Sequence, residues 1–187
     1  MDLSVNSIKF TLGCVYGPNR DEPSLYQILE ERIKLMQNQN LIIVGDWNLL
    51  LDPDMDGENY FHINNPRARQ AMHKLISNLN LIDVWRDENP ESKKYIWRRL
   101  LSNKFVQKGR LDFFLISESL QAYVVKPTIE LGYRSDHSSI TLSLKLSSVI
   151  RSKTFWKFNN TLLYDEQFVH DVKESITELY YHTIEKT

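Results

Sequence analysis

The run Leu41–Val44 (LIIV), followed directly by Gly45, restricts the fold more than any other feature of the sequence. Four consecutive apolar residues without alternation indicate a strand that is buried on both faces. Such a strand needs other elements packed on each side of its sheet. The run therefore favours an α/β architecture over a sheet with one face in water.

The segments around this strand also predict an α/β fold class. Ile8–Tyr16 and Ile140–Leu146 alternate apolar and polar residues, which is typical of half-buried strands. Tyr95–Arg99 and Leu111–Ser117 predict two further strands, on either side of a basic hairpin. Ligand sites in α/β folds gather where strands end, so polar residues at strand ends are the first candidates for a site.

Helical spacing of apolar residues predicts helices over Asp21–Met36 and Ala68–Leu79, each with one apolar face. The polar stretch Asp52–Pro66 predicts a loop. Composition shifts near Ser147, so we expect a domain over residues 1–147 and a second segment over 148–187. That segment is a polar, aromatic connector followed by an amphipathic helix that begins at an N-cap, Asp165, and runs to the end.

Composition excludes several classes of protein. A single cysteine among 187 residues rules out an internal disulfide and a cysteine-based zinc cluster. No apolar run is long enough to span a bilayer, and the first residues lack the pattern of a signal peptide. We therefore expect an intracellular protein with no membrane partner.

One segment is strongly basic although the net charge of the chain is only −1. Between Ser92 and Arg110 there is no acidic residue, and three aromatic residues lie among the cations. This pattern indicates a surface for a nucleic-acid backbone, with a solvated surface hairpin as the alternative. The cations are Lys93, Lys94, Arg98, Arg99, Lys104, Lys108 and Arg110, and the aromatic residues are Tyr95, Trp97 and Phe105.

Polar residues follow three of the expected strands. GDWN puts Asp46 and Asn48 at the end of the buried strand, on the same side of the chain if it stays extended. Tyr16 and Asn19 lie where an earlier strand ends, and Asp112 stands within an apolar run. The alternative for GDWN is a turn without a functional role, because Asp and Asn are common turn residues.

The motif Ser135–Asp136–His137 opens the last strand. Neighbouring strand residues point to opposite faces, so we expect His137 to pair with Asp112 and not with Asp136. A carboxylate on one imidazole nitrogen fixes the tautomer and leaves the other nitrogen to donate to an anion. Asp136 would then face a metal ion or the waters around it. Arg110 or Arg134 remains an alternative partner of Asp112.

The motifs YGPN, GDWN, RLDFFLIS and SDHSSI, in this order, resemble those of the endonuclease/exonuclease/phosphatase superfamily. They look most like the apurinic-type endonuclease domain of non-LTR retrotransposons (long interspersed elements). The spacers LLLDPDMD and LIDVWRDENPESKKYIWRR agree with this resemblance. The tail TFWKFNNTLLYDEQFV looks like the connector that leads to the reverse transcriptase in such polyproteins.

The resemblance implies an Mg²⁺-dependent DNA endonuclease that nicks a target site and leaves a 3′ hydroxyl to prime reverse transcription. By resemblance, Asp46 orients or deprotonates the attacking water, and Asn48 holds that water or a phosphate oxygen. His137, oriented by Asp112, donates to the scissile phosphate, and Asp136 belongs to the Mg²⁺ site. The remaining implied contacts with phosphate or DNA are Tyr16, Asn19, Ser135, Lys94, Trp97, Arg98, Arg99, Lys104 and Lys108. DNA is the implied partner, the RNA of the element is reached through a longer polyprotein, and a functional protein would be nuclear.

This sequence departs from the family at its start. A domain of this type begins with strands that carry an Asn and then a Glu, the principal metal ligand, and this chain starts after both. The expectation is a partial two-sheet α/β sandwich that lacks its N-terminal strands and exposes apolar sheet surface and an unpaired edge. Binding of Mg²⁺, with Mn²⁺ as an alternative, would be weak and activity impaired. Ile96 stands near the expected position of a family Thr.

Other functions stay open from the sequence. One is a phosphatase, or a phosphodiesterase on RNA or phosphoinositides, of the same superfamily. Another is a non-catalytic nucleic-acid-binding remnant whose working surface is the basic segment. The last is a fragment without function that cannot hold its fold.

Overall fold

The computed structural model describes residues 1–5, 8–36, 38, 40–60, 64–102, 104–130, 132, 135–146, 164 and 166–174. The chain divides into two compact units, Met1–Ser148 and Val149–Thr187. In the second unit residues 166–174 are helical. The predicted N-cap Asp165 and residues 175–187 of the predicted final helix lie outside the described residues.

The first unit alternates strands and helices, and a 3₁₀ helix covers Glu118–Tyr123. The strands are β1 (Asp2–Val5), β2 (Ile8–Tyr16), β3 (Leu41–Asp46), β4 (Gly57–Glu58), β5 (Leu81–Asp83), β6 (Trp97–Leu100), β7 (Val106–Gly109), β8 (Asp112–Ser117), β9 (Val124–Glu130) and β10 (Ser139–Leu144). The helices are α1 (Ser24–Lys34), α2 (Pro53–Asp56), α3 (Pro66–Asn78) and α4 (Val84–Glu88).

Five strands form the main sheet, in the order β1-β2-β3-β8-β5. β2 and β3 run parallel, and the other neighbouring pairs are antiparallel. The run Leu41–Val44 is the centre of this sheet, as its apolar composition predicts. Gly45 is required in it, because a Cβ there would lie 1.8 Å from the carbonyl oxygen of Val15 on β2.

One face of the main sheet packs against α1 and α3. The odd-numbered residues of β3 and β8 point to this side, because side chains alternate along a strand. The largest buried cluster forms here, with Trp47 stacked on Phe113 at 5.4 Å between ring centroids. The indole nitrogen of Trp47 also donates to the carbonyl oxygen of Phe113 at 3.1 Å. This packing fixes the chain directly after Asp46.

The opposite face packs against the two-stranded sheet of β9 and β10. Phe10, Ile42 and Ile116 are buried there. The cover does not extend along the whole of β2, where Leu12 is 36% exposed and Tyr16 73% exposed. Exposed apolar sheet surface was the expectation for this fold, and the uncovered part lies at the carboxyl ends of β2 and β3.

A third sheet, in the order β4-β7-β6, contains the basic hairpin. The prediction that Asp52–Pro66 is a loop was wrong in its first part, where α2 and β4 form. Asp52 caps α2, because its side chain accepts from the backbone N–H groups of Asp54 and Met55. β4 then pairs with β7 and joins this segment to the hairpin. None of the helices in the described part of the chain is long and apolar enough to cross a membrane.

Candidate active site

A row of three side chains crosses the main sheet where β2 and β3 end. Tyr16 is directly opposite Asp46 in the parallel pairing, and Asp46 is directly opposite Asp112 in the antiparallel pairing. Residues that pair in this way present their side chains on the same face. The face is the one that β9 and β10 cover only in part, so the two carboxylates stand together at an open end of the sheet.

The chain turns sharply after Asp46 and does not stay extended, which corrects the simplest interpretation of GDWN. Asn48 has a φ of 52°, in the left-handed region that Asn tolerates. Its backbone N–H donates to Oδ1 of Asp46 at 3.0 Å, and its side-chain Nδ2 donates to the carbonyl oxygen of Gly17 at 2.7 Å. Asn48 thus ties the end of β3 to the end of β2, and its Oδ1 remains able to accept from a ligand.

The predicted contact between His137 and Asp112 is present. Nδ1 of His137 lies 2.9 Å from Oδ2 of Asp112. Residues around His137 pair with β6: Trp97 and His137 form an antiparallel bridge, and Ser138 N–H donates to the carbonyl oxygen of Ile96 at 2.8 Å. His137 therefore sits between the main sheet and the basic hairpin. The alternative partner Arg110 binds other carboxylates, and Arg134 lies outside the described residues.

Burial raises the pKa of Asp112 above its ordinary value. The hydrogen bond and positive charge of His137 act in the opposite direction and do not offset burial, while the negative charge of Asp46 adds to the increase. Two carboxylates that share a site favour a proton or a cation between them.

Within the described residues, Asp46, Asp112 and His137 form a group that could hold a metal ion. One ligand atom from each lies within 4.8 Å of the others. Asp136, the residue predicted for the metal site, is not in this group. It is exposed, and its Oδ2 accepts from the indole nitrogen of Trp97 at 3.2 Å. Its role as a metal ligand stays a prediction, and the geometry favours the other two carboxylates.

The remaining predicted phosphate contacts border this group in different ways. Tyr16 is in the same row and exposed, and Asn19 is exposed in the turn beyond β2. Ser135 supports the motif itself, because its Oγ accepts from the backbone N–H of His137 at 3.1 Å. The contacts of these three residues with phosphate stay predictions.

Three cations of the basic segment have tertiary partners, and for Lys94 and Lys108 the predicted contact with DNA stays a prediction. The ammonium of Lys94 donates to the carbonyl oxygen of Ile129 on β9 at 2.6 Å. Lys108 pairs with Glu58 on β4 at 2.8 Å. Arg110 is only 1% exposed, so its inclusion in a DNA-binding surface was wrong. Folding brings these partners from segments distant in sequence.

Arg98, Arg99 and Lys104 are exposed and have no ion pair or side-chain hydrogen bond within the described part of the chain. Strand alternation separates the two arginines. Arg99 shares a face of β6 with Trp97, whose partner across the bridge is His137. Arg98 points to the other face, directly opposite Lys108. Of the two arginines, Arg99 is therefore the one on the face of the candidate site.

Sequence reasoning missed a buried ionic network two residues from Asp112. Arg110 binds both oxygens of Asp56, at 2.8 and 3.0 Å, and both oxygens of Asp83, at 3.2 and 2.6 Å. Arg86 binds Asp56 as well, at 2.6 Å. In the sequence, Arg110 is simply the last cation of the basic segment, and nothing beside it marks it as buried. Its carboxylate partners stand 54 and 27 residues away.

No protein family model matches the chain. Its sequence is 32% identical over 174 residues to the Transposon TX1 uncharacterized 149 kDa protein of Xenopus laevis. That alignment takes in 89% of this chain and 13% of the transposon protein.

Solved structures of nucleases share the fold. An AP endonuclease from Archaeoglobus fulgidus has a TM-score of 0.63 at 17% identity, over 78% of this chain and 64% of that one. The endonuclease domain of TRAS1, a telomere-specific non-LTR retrotransposon, has a TM-score of 0.58 at 16% identity, over 78% and 62%. A 3′ phosphatase from Neisseria bound to a product DNA hairpin has a TM-score of 0.57 at 20% identity, over 76% and 63%.

At these identities the structural likeness concerns the fold, and this chain spans less than two thirds of each of those structures. It agrees with the sequence resemblance, which rests on the motifs that carry Asp46, Asp112 and His137. The chain therefore has the fold of AP endonucleases, including the endonuclease domain of a non-LTR retrotransposon, and it is a sequence relative of a transposon protein.

Proposed function

We propose that this chain is a divalent-metal-dependent DNA endonuclease that hydrolyses a phosphodiester bond and nicks the target site of a retrotransposon. The observation that carries the proposal is the meeting of Asp46, Asp112 and His137 at an open end of the sheet. Carboxylates and an imidazole are the groups that phosphodiester hydrolysis needs for positioning and for neutralising charge.

The donor set fits a divalent ion. Asp46 and Asp112 each use one carboxylate oxygen in a hydrogen bond, and no described residue bonds to the other oxygen. These two oxygens would hold the ion, with waters filling the remaining positions, as Mg²⁺ and Mn²⁺ accept. When bound, the metal supplies charge neutralisation at the phosphate and activation of a water. Two carboxylates are few ligands, so we expect binding to be weak.

The side chains of the site have distinct roles in the proposal. Asp112 accepts from Nδ1 of His137, which fixes the ring and leaves Nε2 directed away from the sheet. The protonated ring can then donate from Nε2 to a phosphate oxygen and stabilise the charge that develops there. Asp46 would orient the attacking water, and Oδ1 of Asn48 would help to position it.

Three observations favour DNA as the substrate. Trp97 and Arg99 lie on the same face as His137, which gives an aromatic side and a cation for the backbone beside the scissile phosphate. The Neisseria phosphatase with this fold binds a DNA hairpin. The sequence relative is a transposon protein of Xenopus laevis.

The test is conversion of supercoiled plasmid to open circles by the purified chain in the presence of Mg²⁺. We expect slow nicking that EDTA abolishes. His137→Ala should reduce the rate by about 100- to 1000-fold, the usual cost of removing a donor to a developing oxyanion. His73→Ala is the matched control, because His73 is exposed on α3 and, among the described residues, its ring binds the carbonyl oxygen of Leu51 alone.

Nicking that survives EDTA or His137→Ala would contradict the proposed site. A folded sample that binds DNA and does not nick it would show a role in binding alone. Turnover of RNA or inositol phosphates in place of plasmid would reassign the substrate within the superfamily.

A further inference from the structure

Tyr60 is a tyrosine beside the candidate site that the proposed chemistry does not use. Its side chain is partly buried, and within the described residues nothing hydrogen bonds to its hydroxyl. A tyrosine in such a position usually finds a partner for its hydroxyl. The position of that hydroxyl indicates what the partner could be.

The hydroxyl lies over Gly109 on β7. A Cβ on Gly109 would be 2.6 Å from the Tyr60 oxygen, and a Cβ on Gly57 would be 3.2 Å from ring atom Cδ2. The ring therefore runs across the third sheet, from β4 to β7, in a space that two glycines keep open.

The same face leads to the site. Gly57 pairs with Gly109, Gly109 pairs with Trp97, and Trp97 pairs with His137. Directly paired residues of antiparallel strands project to one face, so the Tyr60 hydroxyl shares a face with Trp97 and His137. Gly109 is two strand spacings from His137, about 10 Å.

Electrostatics agree with this placement. Burial raises the pKa of Tyr60 to about 12, and the negative charge of Asp46 contributes to the increase. The hydroxyl of Tyr60 therefore keeps its proton at neutral pH. A protonated phenol that has no partner among the described residues, on a surface proposed for DNA, is a hydrogen-bond donor available to an acidic ligand.

We propose that Tyr60 is a further DNA-binding residue, whose hydroxyl donates to a phosphate oxygen of the strand that lies across Gly109. The phosphate would be a neighbour of the scissile one, because the hydroxyl stands about two strand spacings from His137. This inference rests on the proposed function, since it takes DNA as the ligand.

The test measures binding of a short fluorescent duplex by anisotropy, with EDTA present so that no cleavage intervenes. Tyr60→Phe removes only the oxygen, and we expect binding to weaken by about 5- to 10-fold, in line with a hydrogen bond to a charged group. Gly109→Ala should have a similar effect, because its Cβ would displace the hydroxyl. Tyr123→Phe is the matched control, since Tyr123 is a partly buried tyrosine in the 3₁₀ helix, where it packs on the cluster around Ile42 and Ile116.

A second measurement separates a phosphate contact from a packing effect. Duplexes with one neutral methylphosphonate at successive positions are bound to the unaltered chain and to Tyr60→Phe. At one position beside the cleavage site, the neutral phosphate should weaken binding to the unaltered chain and leave binding to Tyr60→Phe unchanged.

The outcomes are distinguishable. Equal binding by Tyr60→Phe and the unaltered chain overturns the Tyr60 proposal and leaves the endonuclease proposal standing. Sensitivity to the same methylphosphonates in both proteins also overturns it, because Tyr60 would then act through packing. If the unaltered chain does not bind the duplex, DNA is the wrong ligand and both proposals fail.

Discussion

Two charged clusters stand on neighbouring parts of one strand region, and they are built in opposite ways. Around Arg110, every carboxylate oxygen of Asp56 and Asp83 binds a guanidinium group. Around Asp112, two carboxylates lie side by side, and the one imidazole beside them binds Asp112. The first cluster is buried, whereas in the second the side chain of His137 is 32% exposed.

The difference shows how structure and function divide the charged residues of this chain. Burial alone would raise the pKa of Asp56, but the hydrogen bonds and charge of Arg110 outweigh it and hold that pKa below its ordinary value. For Asp112 burial prevails, and its pKa is raised. The first cluster is saturated in its carboxylate oxygens, each of which already binds a guanidinium group, so none of them is left for a cation. An unsaturated one is less favourable for the fold and retains capacity for a cation.

The largest expected effect is on the saturated cluster. Arg110→Ala would leave Asp56 and Asp83 buried without their main cation, and loss of one partner of a buried pair costs about 3–5 kcal/mol. Arg110→Lys should recover little of the lost stability, because an ammonium cannot bind two carboxylates in the forked geometry.

The free energy of unfolding in urea measures the effect of both substitutions. Arg20→Ala, which breaks an exposed pair with Glu22, is the control and should change stability very little. A cost for Arg110→Ala as small as that of the control would show that the network does not hold the fold.

The next largest effect is expected at the unsaturated cluster around Asp112, where a substitution should reduce activity without reducing the free energy of unfolding. Asp112→Asn should reduce plasmid nicking by about 100-fold or more, because the imidazole loses the carboxylate that sets its tautomer. The same variant should be as stable as the unaltered chain, or more stable, at neutral pH without divalent metal. Parallel urea unfolding and nicking assays check this. A variant that loses stability and activity together would mean that Asp112 is structural, like Asp56.

The two clusters should also respond to pH with opposite signs. The pKa of Asp56 is lowered on folding, so its contribution to stability is present at neutral pH and is lost as the pH falls below about 4. The pKa of Asp112 is raised, so its contribution is present at low pH and is lost as the pH rises through that raised value.

The midpoints of urea unfolding for Asp56→Asn and Asp112→Asn, measured across this pH range, test the two signs. In Asp56→Asn, stability should fall less steeply as the pH decreases. Asp112→Asn should gain stability relative to the unaltered chain as the pH rises. Parallel shifts in both variants would refute the contrast.

The sequence predicts what depends on local pattern. The strand Ile8–Tyr16 forms with the predicted bounds, and the run Leu41–Val44 lies at the centre of the sheet. Both follow from periodicity, which acts within a few residues. Strand β9 was missed because VVKPTIE has no clear alternation and contains Pro127. Its partner β10 makes it a strand, and pairing between segments is not a local property.

In the candidate site, too, some contacts follow from the local sequence pattern and others depend on distant segments. The contact between His137 and Asp112 was predictable from strand alternation, which turns Asp136 away from His137, and from the need of a carboxylate in an apolar run for a partner. The fates of Lys94 and Lys108 were not, since their partners are a carbonyl on β9 and a carboxylate on β4. Tyr60 left no signal, because two glycines from different strands create its position.

The smallest expected effect concerns the two adjacent arginines of β6, which differ in the face they occupy. Arg99 lies on the face of His137, and Arg98 lies on the other face, opposite Lys108. Arg99→Ala should weaken duplex binding by about 3- to 10-fold and lower the slope of affinity against salt by about one, as loss of one phosphate contact does.

Arg98→Ala removes the same charge one residue away, so it controls for net charge. We expect less than about a 2-fold change in duplex binding for this variant, since its face points away from the site. Anisotropy titrations at several salt concentrations measure both variants. If the two arginines contribute equally, DNA wraps both faces of the hairpin. A larger effect of Arg98 would place the DNA on the face away from His137, where the hairpin could not guide a strand to the paired carboxylates.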